Sequence, residues 1–208
     1  MGISIAIEGN DGAGKSTLIK LLKKYYKAKK IKILVVRYNM SYVTLKAIKE
    51  GKKRFFSAET NTLLHYLSIK DQIERFIYNY KKVDLIIWDR YIYSVCARAM
   101  ARNVNLETTN FILKNTPSLD HTILLDITSE QSLYRLGEEN ISFWEAGQDI
   151  YKKMSKVEAF KFFQSDVKKN LITLITETRD YSIFDAFQER SIIFENCIKI
   201  INSKLKHN

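Results

Sequence analysis

Five short apolar runs punctuate the chain: residues 3–7 (ISIAI), 31–36 (IKILVV), 84–88 (DLIIW), 121–126 (HTILLD) and 171–175 (LITLI). Near-continuous hydrophobicity over so few residues suits strands buried on both faces of a parallel sheet. Between these runs apolar residues recur at helical spacing. Residues 16–26 put Leu18, Leu21, Leu22 and Tyr25 on one stripe, with Lys20, Lys23 and Lys24 opposite. Further helices are predicted over 58–80, 92–101, 106–115, 129–137, 154–169 and 183–204. Strands alternating with helices predict an α/β doubly wound architecture with right-handed crossovers. No repeat, low-complexity segment or linker breaks the alternation, so residues 1–208 read as a single domain. The least regular stretch, GEENISFWEAGQDI (137–150), is the candidate lid.

The first run leads directly into IEGNDGAGKST, residues 7–17. Gly9, four residues, then Gly14-Lys15-Ser16, set between a strand and a helix, is the pattern of a P-loop. Glycines let consecutive N–H groups turn inward onto phosphate oxygens, and the helix that follows adds the positive end of its dipole. The candidate ATP-binding residues are therefore Gly9, Asn10, Gly12, Ala13, Gly14, Lys15, Ser16 and Thr17. Lys15 is suited to the β- and γ-phosphates, and the Ser16 hydroxyl to a magnesium ion. Asp89, ending the run LIIWD, is a second candidate for the metal or its waters. Its neighbour Arg90 can meet a transferring phosphate as a planar fork. Asp11 is electrostatically awkward inside a phosphate cradle, which is accounted for if it serves a second substrate.

Charge and composition then narrow the class. The net charge of +11 invites a nucleic-acid surface, but the basic residues lie in short scattered runs such as Lys23-Lys24, Lys52-Lys53-Arg54 and Lys81-Lys82. A positive field serves phosphorylated small substrates equally well. With 46% hydrophobic and 27% charged residues, wholesale disorder is not expected. No apolar run has the length of a membrane span, and no secretory signal is visible, so a cytoplasmic protein without membrane contact is expected. Cys96 and Cys197 are too few for a disulfide framework or a metal site. A GTPase would carry an Asn-Lys-x-Asp guanine reader, which is absent. A motor or helicase needs more chain, and a small kinase remains.

The chain resembles the thymidylate kinases. The resemblance rests on E-G-x-D-G-A-G-K-S-T (Glu8 to Thr17) with D-R-Y-x-x-S (Asp89, Arg90, Tyr91, Ser94), and on the order of elements over most of the length. It implies a P-loop NTPase fold of the nucleoside monophosphate kinase type, with a five-stranded parallel sheet flanked by helices. It also implies transfer of a phosphoryl group from Mg-ATP to dTMP, commonly by a homodimer. Carried over by residue, Asp11 would contact the acceptor's sugar, Arg37 its phosphate, and Arg90 both phosphates, with Tyr91 and Ser94 at the acceptor pocket. Lys15, Arg90, Arg37 and Arg135 form the expected catalytic set.

The base-reading helix departs from the family's Phe-Ala-x-Asp-Arg. Here it reads LLHYLSIKDQIERF (63–76), so His65 or Tyr66 would meet the base, and Ile69 or Lys70 replaces the arginine. His65 is equally a candidate core residue. After Ser94, Ala97-Arg98-Ala99 replaces Ala-Tyr-Gln, which makes Arg98 a candidate acceptor contact or an exposed helix arginine. Arg135 is the candidate lid charge or a helix-end cap, and Trp144 a cover for the site or a packing residue. Three rival readings follow: a kinase for another deoxynucleotide or a deoxynucleoside, a nucleic-acid-binding protein switched by ATP, and, from the sparse lid arginines, a catalytically silent homologue.

Overall fold

The computed structural model describes residues 2–79 and 83–206. Tyr80, at the end of the expected helix 58–80, and the basic pair Lys81-Lys82 lie outside the described residues. Strands β1 (Ile3–Gly9), β2 (Ile33–Arg37), β3 (Leu85–Asp89), β4 (His121–Asp126) and β5 (Tyr181–Asp185) form one parallel sheet in the order β2-β3-β1-β4-β5. The central register pairs Ile7 with Asp89 and Gly9 with Leu125, which brings the ends of β1, β3 and β4 to one rim.

Side chains two apart point to the same face of a strand, so β1 divides its residues between two cores. Ile3, Ile5 and Ile7 pack with Leu22 and Tyr26 of α1 (Lys15–Ala28) and with Ile193 and Cys197 of α8 (Arg190–Lys206). Ala6, Trp88 and Leu124 face the other way. They meet Cys96 and Ala97 of α4 (Ile92–Met100), and Phe163 and Val167 of α7 (Lys156–Thr176). The two cysteines are free thiols buried in opposite cores.

Three expectations need correction. Residues 171–175 are not a strand; they are the last turns of α7, and the fifth strand is Tyr181–Asp185. Leu171, Leu174 and Ile175 continue the buried stripe of Phe160, Phe163 and Val167 at helical spacing, so packing decides what a short apolar run cannot. The true fifth strand is a sheet edge with exposed Tyr181 and Ile183, so its sequence carries little apolar signal. Accordingly α7 extends beyond the expected 154–169, and α8 starts at Arg190 rather than at residue 183.

The remaining helices are α2 (Leu45–Lys53), α3 (Ala58–Asn79), α5 (Leu106–Lys114) and α6 (Ser129–Leu136). The sequence reading did not include α2. Capping boxes fix the starts of α6, through Thr128 and Gln131, and of α7, through Ser155 and Glu158. Residues 137–150 contain one 3-10 turn, Glu138–Asn140, and otherwise turns.

Candidate active site

Two adjoining cavities, of about 530 Å³ and about 280 Å³, open at the rim where β1 and β3 end. They share Asp11, Arg90 and Glu145 in their walls.

Residues 11–17 line the larger cavity. Gly9 has φ +141°, and a Cβ there would stand 2.5 Å from the Leu125 carbonyl oxygen, so the chain can leave β1 in this direction only without a side chain. Gly14 precedes α1 in the left-handed region, and among the described residues no side chain caps the helix. The first-turn amides are thus available to an anion, with the helix dipole behind them. Lys15 is buried, and its Nζ donates to the Asn10 carbonyl at 2.6 Å. Burial and the nearby Arg90 charge push its pKa down to about 7, against the pull of Asp11 and Asp89. A polyanion would reverse that. Ser16 and Asp89 line the same cavity. The metal expected with the nucleotide fits these donors: magnesium takes hard oxygens, one or two carboxylates, substrate phosphates and waters. Among the described residues no cluster of three or more His, Cys, Asp or Glu could hold a metal.

A buried charge cluster separates the cavities. Arg90, at φ +65° after β3, donates to the Gly9 carbonyl at 2.6 Å, to Ser94 Oγ at 3.1 Å and to Asp11 Oδ1 at 2.6 Å. Arg98 of α4 donates to Asp11 Oδ2 at 2.6 Å. Burial alone would raise the Asp11 pKa, but Arg98, Arg90 and Lys15 outweigh it and hold the carboxyl far below the usual carboxylate range. Glu8, fully buried on β1, accepts from the Tyr91 amide at 2.8 Å and the Ser94 amide at 3.3 Å, and from the Ser94 hydroxyl. Glu8 therefore caps α4 from a neighbouring strand, which joins the two sequence motifs physically.

Tyr38, Lys52, His65, Arg98, Arg102 and Trp144 wall the smaller cavity. His65 stacks on Tyr38 with ring centroids 5.2 Å apart, and its Nδ1 has no hydrogen-bond partner among the described residues. Burial, reinforced by Lys52 and Arg98, drives its pKa down to about 3, so the imidazole is neutral at physiological pH. Residues 137–150 fasten over this side. Arg102 donates to Asp149 at 2.7 and 3.2 Å and to the Trp144 carbonyl at 2.9 Å. Phe55, at φ +54°, puts its ring 5.7 Å from Phe143 and 5.6 Å from Trp144.

The family model described as thymidylate kinase matches residues 7–187, which include both cavity-forming motifs. The chain belongs to the thymidylate kinase family. It is 29% identical over 202 residues to "Probable thymidylate kinase 1" of Saccharolobus solfataricus, covering 97% of each chain. It is also 29% identical to "Probable thymidylate kinase 2" of the same organism, with 88% of each chain covered. "Thymidylate kinase" of Bacillus mycoides is 25% identical, over 98% of this chain and 99% of its own.

Set in this thymidylate kinase frame, several expected residues come together and others do not. Lys15, Ser16, Asp89, Arg90 and Asp11 meet at the two cavities. His65, not Tyr66, faces the smaller one: Tyr66 packs against Phe111 of α5 and does not reach it. Ile69, which stands in the helix that would read the base, is buried in the core. Tyr91 does not line the pocket either. Its ring packs on Trp88, and its hydroxyl donates to the Pro117 carbonyl at 2.9 Å. Asp11 lines both cavities, and each of its oxygens pairs with one guanidinium group, of Arg90 and of Arg98. Arg37 is largely exposed and pairs with Asp89 at 3.6 Å. Arg135 sits at the rim of the larger cavity rather than over the junction. It donates to the Gly12 and Ala186 carbonyls and lies 4.3 Å over the Phe187 ring.

Sequence reasoning missed Tyr38, Lys52, Arg102 and Gln164. Lys52 was hidden in a basic run, and Arg102 and Gln164 gain their meaning only from partners distant in the chain. No helix among the described residues is long and apolar enough to cross a membrane.

Proposed function

We propose that the chain transfers the γ-phosphoryl group of Mg-ATP to dTMP, with ATP in the larger cavity and dTMP in the smaller. The observation that carries this reading is the pair of cavities meeting at Arg90, one floored by the P-loop and the other by α3 and α4. The amides of residues 12–17 and Lys15 bind the donor phosphates. Arg90 spans the transferring group, and Arg98 and His65 line the acceptor. Arg37, exposed and paired with Asp89, can swing onto the acceptor phosphate. Ser16 and Asp89 would hold Mg²⁺, which supplies neutralising charge on the phosphates. No protein base is needed, because the acceptor phosphate oxygen is already ionised. Catalysis then consists of placement and charge stabilisation. Arg135 serves the donor rim, and residues 137–150 act as a lid that limits water. Cytoplasmic homodimers are the expected form, and exposed Leu63, Leu67 and Phe111 on α3 and α5 offer an apolar face for the contact.

A second acceptor remains a rival for one specific reason: Ile69 lies in the core and a neutral imidazole faces the pocket. A coupled ADP-release panel with Mg-ATP and each deoxynucleoside monophosphate, plus thymidine, tests the assignment. Fastest turnover with dTMP is expected. Faster turnover with dCMP, dUMP or thymidine would replace the acceptor and leave the phosphoryl donor unchanged. Tight, steeply salt-dependent retention on single-stranded DNA without turnover would instead favour the nucleic-acid reading.

A further inference from the structure

Gln164 lies on α7, fully buried, 153 residues along the chain from Asp11. Its side-chain nitrogen donates to Asp11 Oδ2 at 3.2 Å and to the Glu145 carbonyl at 2.9 Å. Its backbone carbonyl accepts from Asn10 Nδ2 at 2.6 Å. Two acceptors on one nitrogen fix which way the amide points. One residue therefore holds the phosphate loop at two successive positions and residues 137–150 at a third.

This amide does not behave as filler. Its Oε1 is buried without a hydrogen-bond partner among the described residues, a cost that a leucine of similar size would avoid. What the amide gains is a tie between Asp11 and Glu145, two of the three residues that line both cavities. Asp11 in turn carries Arg90 on one oxygen and Arg98 on the other. We infer that Gln164 is a positioning residue that couples the seating of residues 137–150 to Asp11, and through Asp11 to the two guanidinium groups at the junction. With the segment seated, Asp11 is held from the α7 side and the arginines share one geometry. With it displaced, the amide loses one acceptor and Asp11 gains freedom to follow the arginines. The inference rests on the proposed dTMP kinase reading.

Two variants separate positioning from support. Gln164→Met keeps the length and removes the donor. Gln164→Glu keeps the shape and can donate only when protonated, and its burial beside the Asp11 carboxylate raises its pKa. Steady-state ADP release with Mg-ATP and dTMP is measured from pH 6 to 8, with melting temperatures recorded for each protein. We expect Gln164→Met to lower kcat about tenfold, the scale of a lost hydrogen bond to a charged group, with KM for ATP within about twofold of wild type. Activity of Gln164→Glu relative to wild type should rise at least about threefold as pH falls from 8 to 6. Wild-type kcat in Gln164→Met would overturn the inference. So would a Gln164→Glu ratio that stays flat with pH while both variants lose activity in step with melting temperature. A wild-type chain that releases no ADP with dTMP would overturn the kinase reading itself, and the inference with it.

Discussion

The two cavities are built from different materials. The proposed donor cradle is a contiguous stretch of backbone, residues 9 to 17, bent by glycines and set on a helix terminus. The proposed acceptor pocket is assembled from side chains on α2, α3, α4, the segment after β2 and residues 137–150. A backbone cradle recognises what all nucleoside triphosphates share. A side-chain pocket can be rewritten one position at a time, and His65 and Arg98 are the lining residues at which this chain departs from the family pattern, while Ile69 has withdrawn into the core. The difference teaches that a P-loop fixes the class of reaction, while the acceptor must be sought in residues scattered along the chain.

The largest expected effect breaks the donor side alone. Lys15→Ala should lower kcat by about three orders of magnitude, the scale of a preorganised charge facing developing negative charge, with KM for dTMP little changed. Steady-state ADP release checks this, and a loss under tenfold would remove the cradle from the transfer step.

Arg98→Leu should act on the acceptor side. It removes a partly buried ion pair with Asp11 at 2.6 Å, and KM for dTMP should rise about thirtyfold, with KM for ATP within about twofold. Equal shifts in both constants would show that the cavities do not act separately.

Protonation sharpens the contrast further. Lys15 has its pKa near 7 in the free protein, and bound phosphates restore it upward. Binding of a nonhydrolysable ATP analogue at pH 8 should therefore take up close to one proton, and at pH 6 almost none. Calorimetry in buffers of different ionisation enthalpy reads the uptake, which should vanish in Lys15→Ala.

The smallest effect concerns His65. Its folded pKa of about 3 lies below the ordinary 6.5, so the unfolded chain binds the extra proton between these values. The neutral ring's contribution is complete above pH 6.5 and is lost as pH falls toward 3. His65→Phe should flatten the acid side of the melting-temperature profile by a few degrees between pH 6.5 and 4. A profile parallel to wild type would place the imidazole in water.

Legibility in the sequence followed the same division. The P-loop, Asp89 and Arg90 could be read because neighbours in the chain are neighbours in the site. Four strands could be read because burial on both faces leaves continuous apolar runs. The fifth could not: Tyr181–Asp185 is an edge, and the stronger run at 171–175 completes a helix. Tyr91 carried a family motif into the core, because Glu8 turns that motif into a helix cap. Periodicity left His65 and Tyr66 equivalent until α5 claimed Tyr66 through Phe111. Gln164 and Arg102 gave no local signal, since their roles come from contacts across the fold.

The most direct measurement is a crystal structure with a nonhydrolysable ATP analogue, Mg²⁺ and dTMP together. The account predicts triphosphate oxygens on the amides of residues 12–17 and on Lys15, and thymidine between His65 and Arg98. It also predicts that both nucleotides' phosphates meet at Arg90. A triphosphate held away from residues 12–17, or dTMP bound outside the cavity walled by His65 and Arg98, would contradict it.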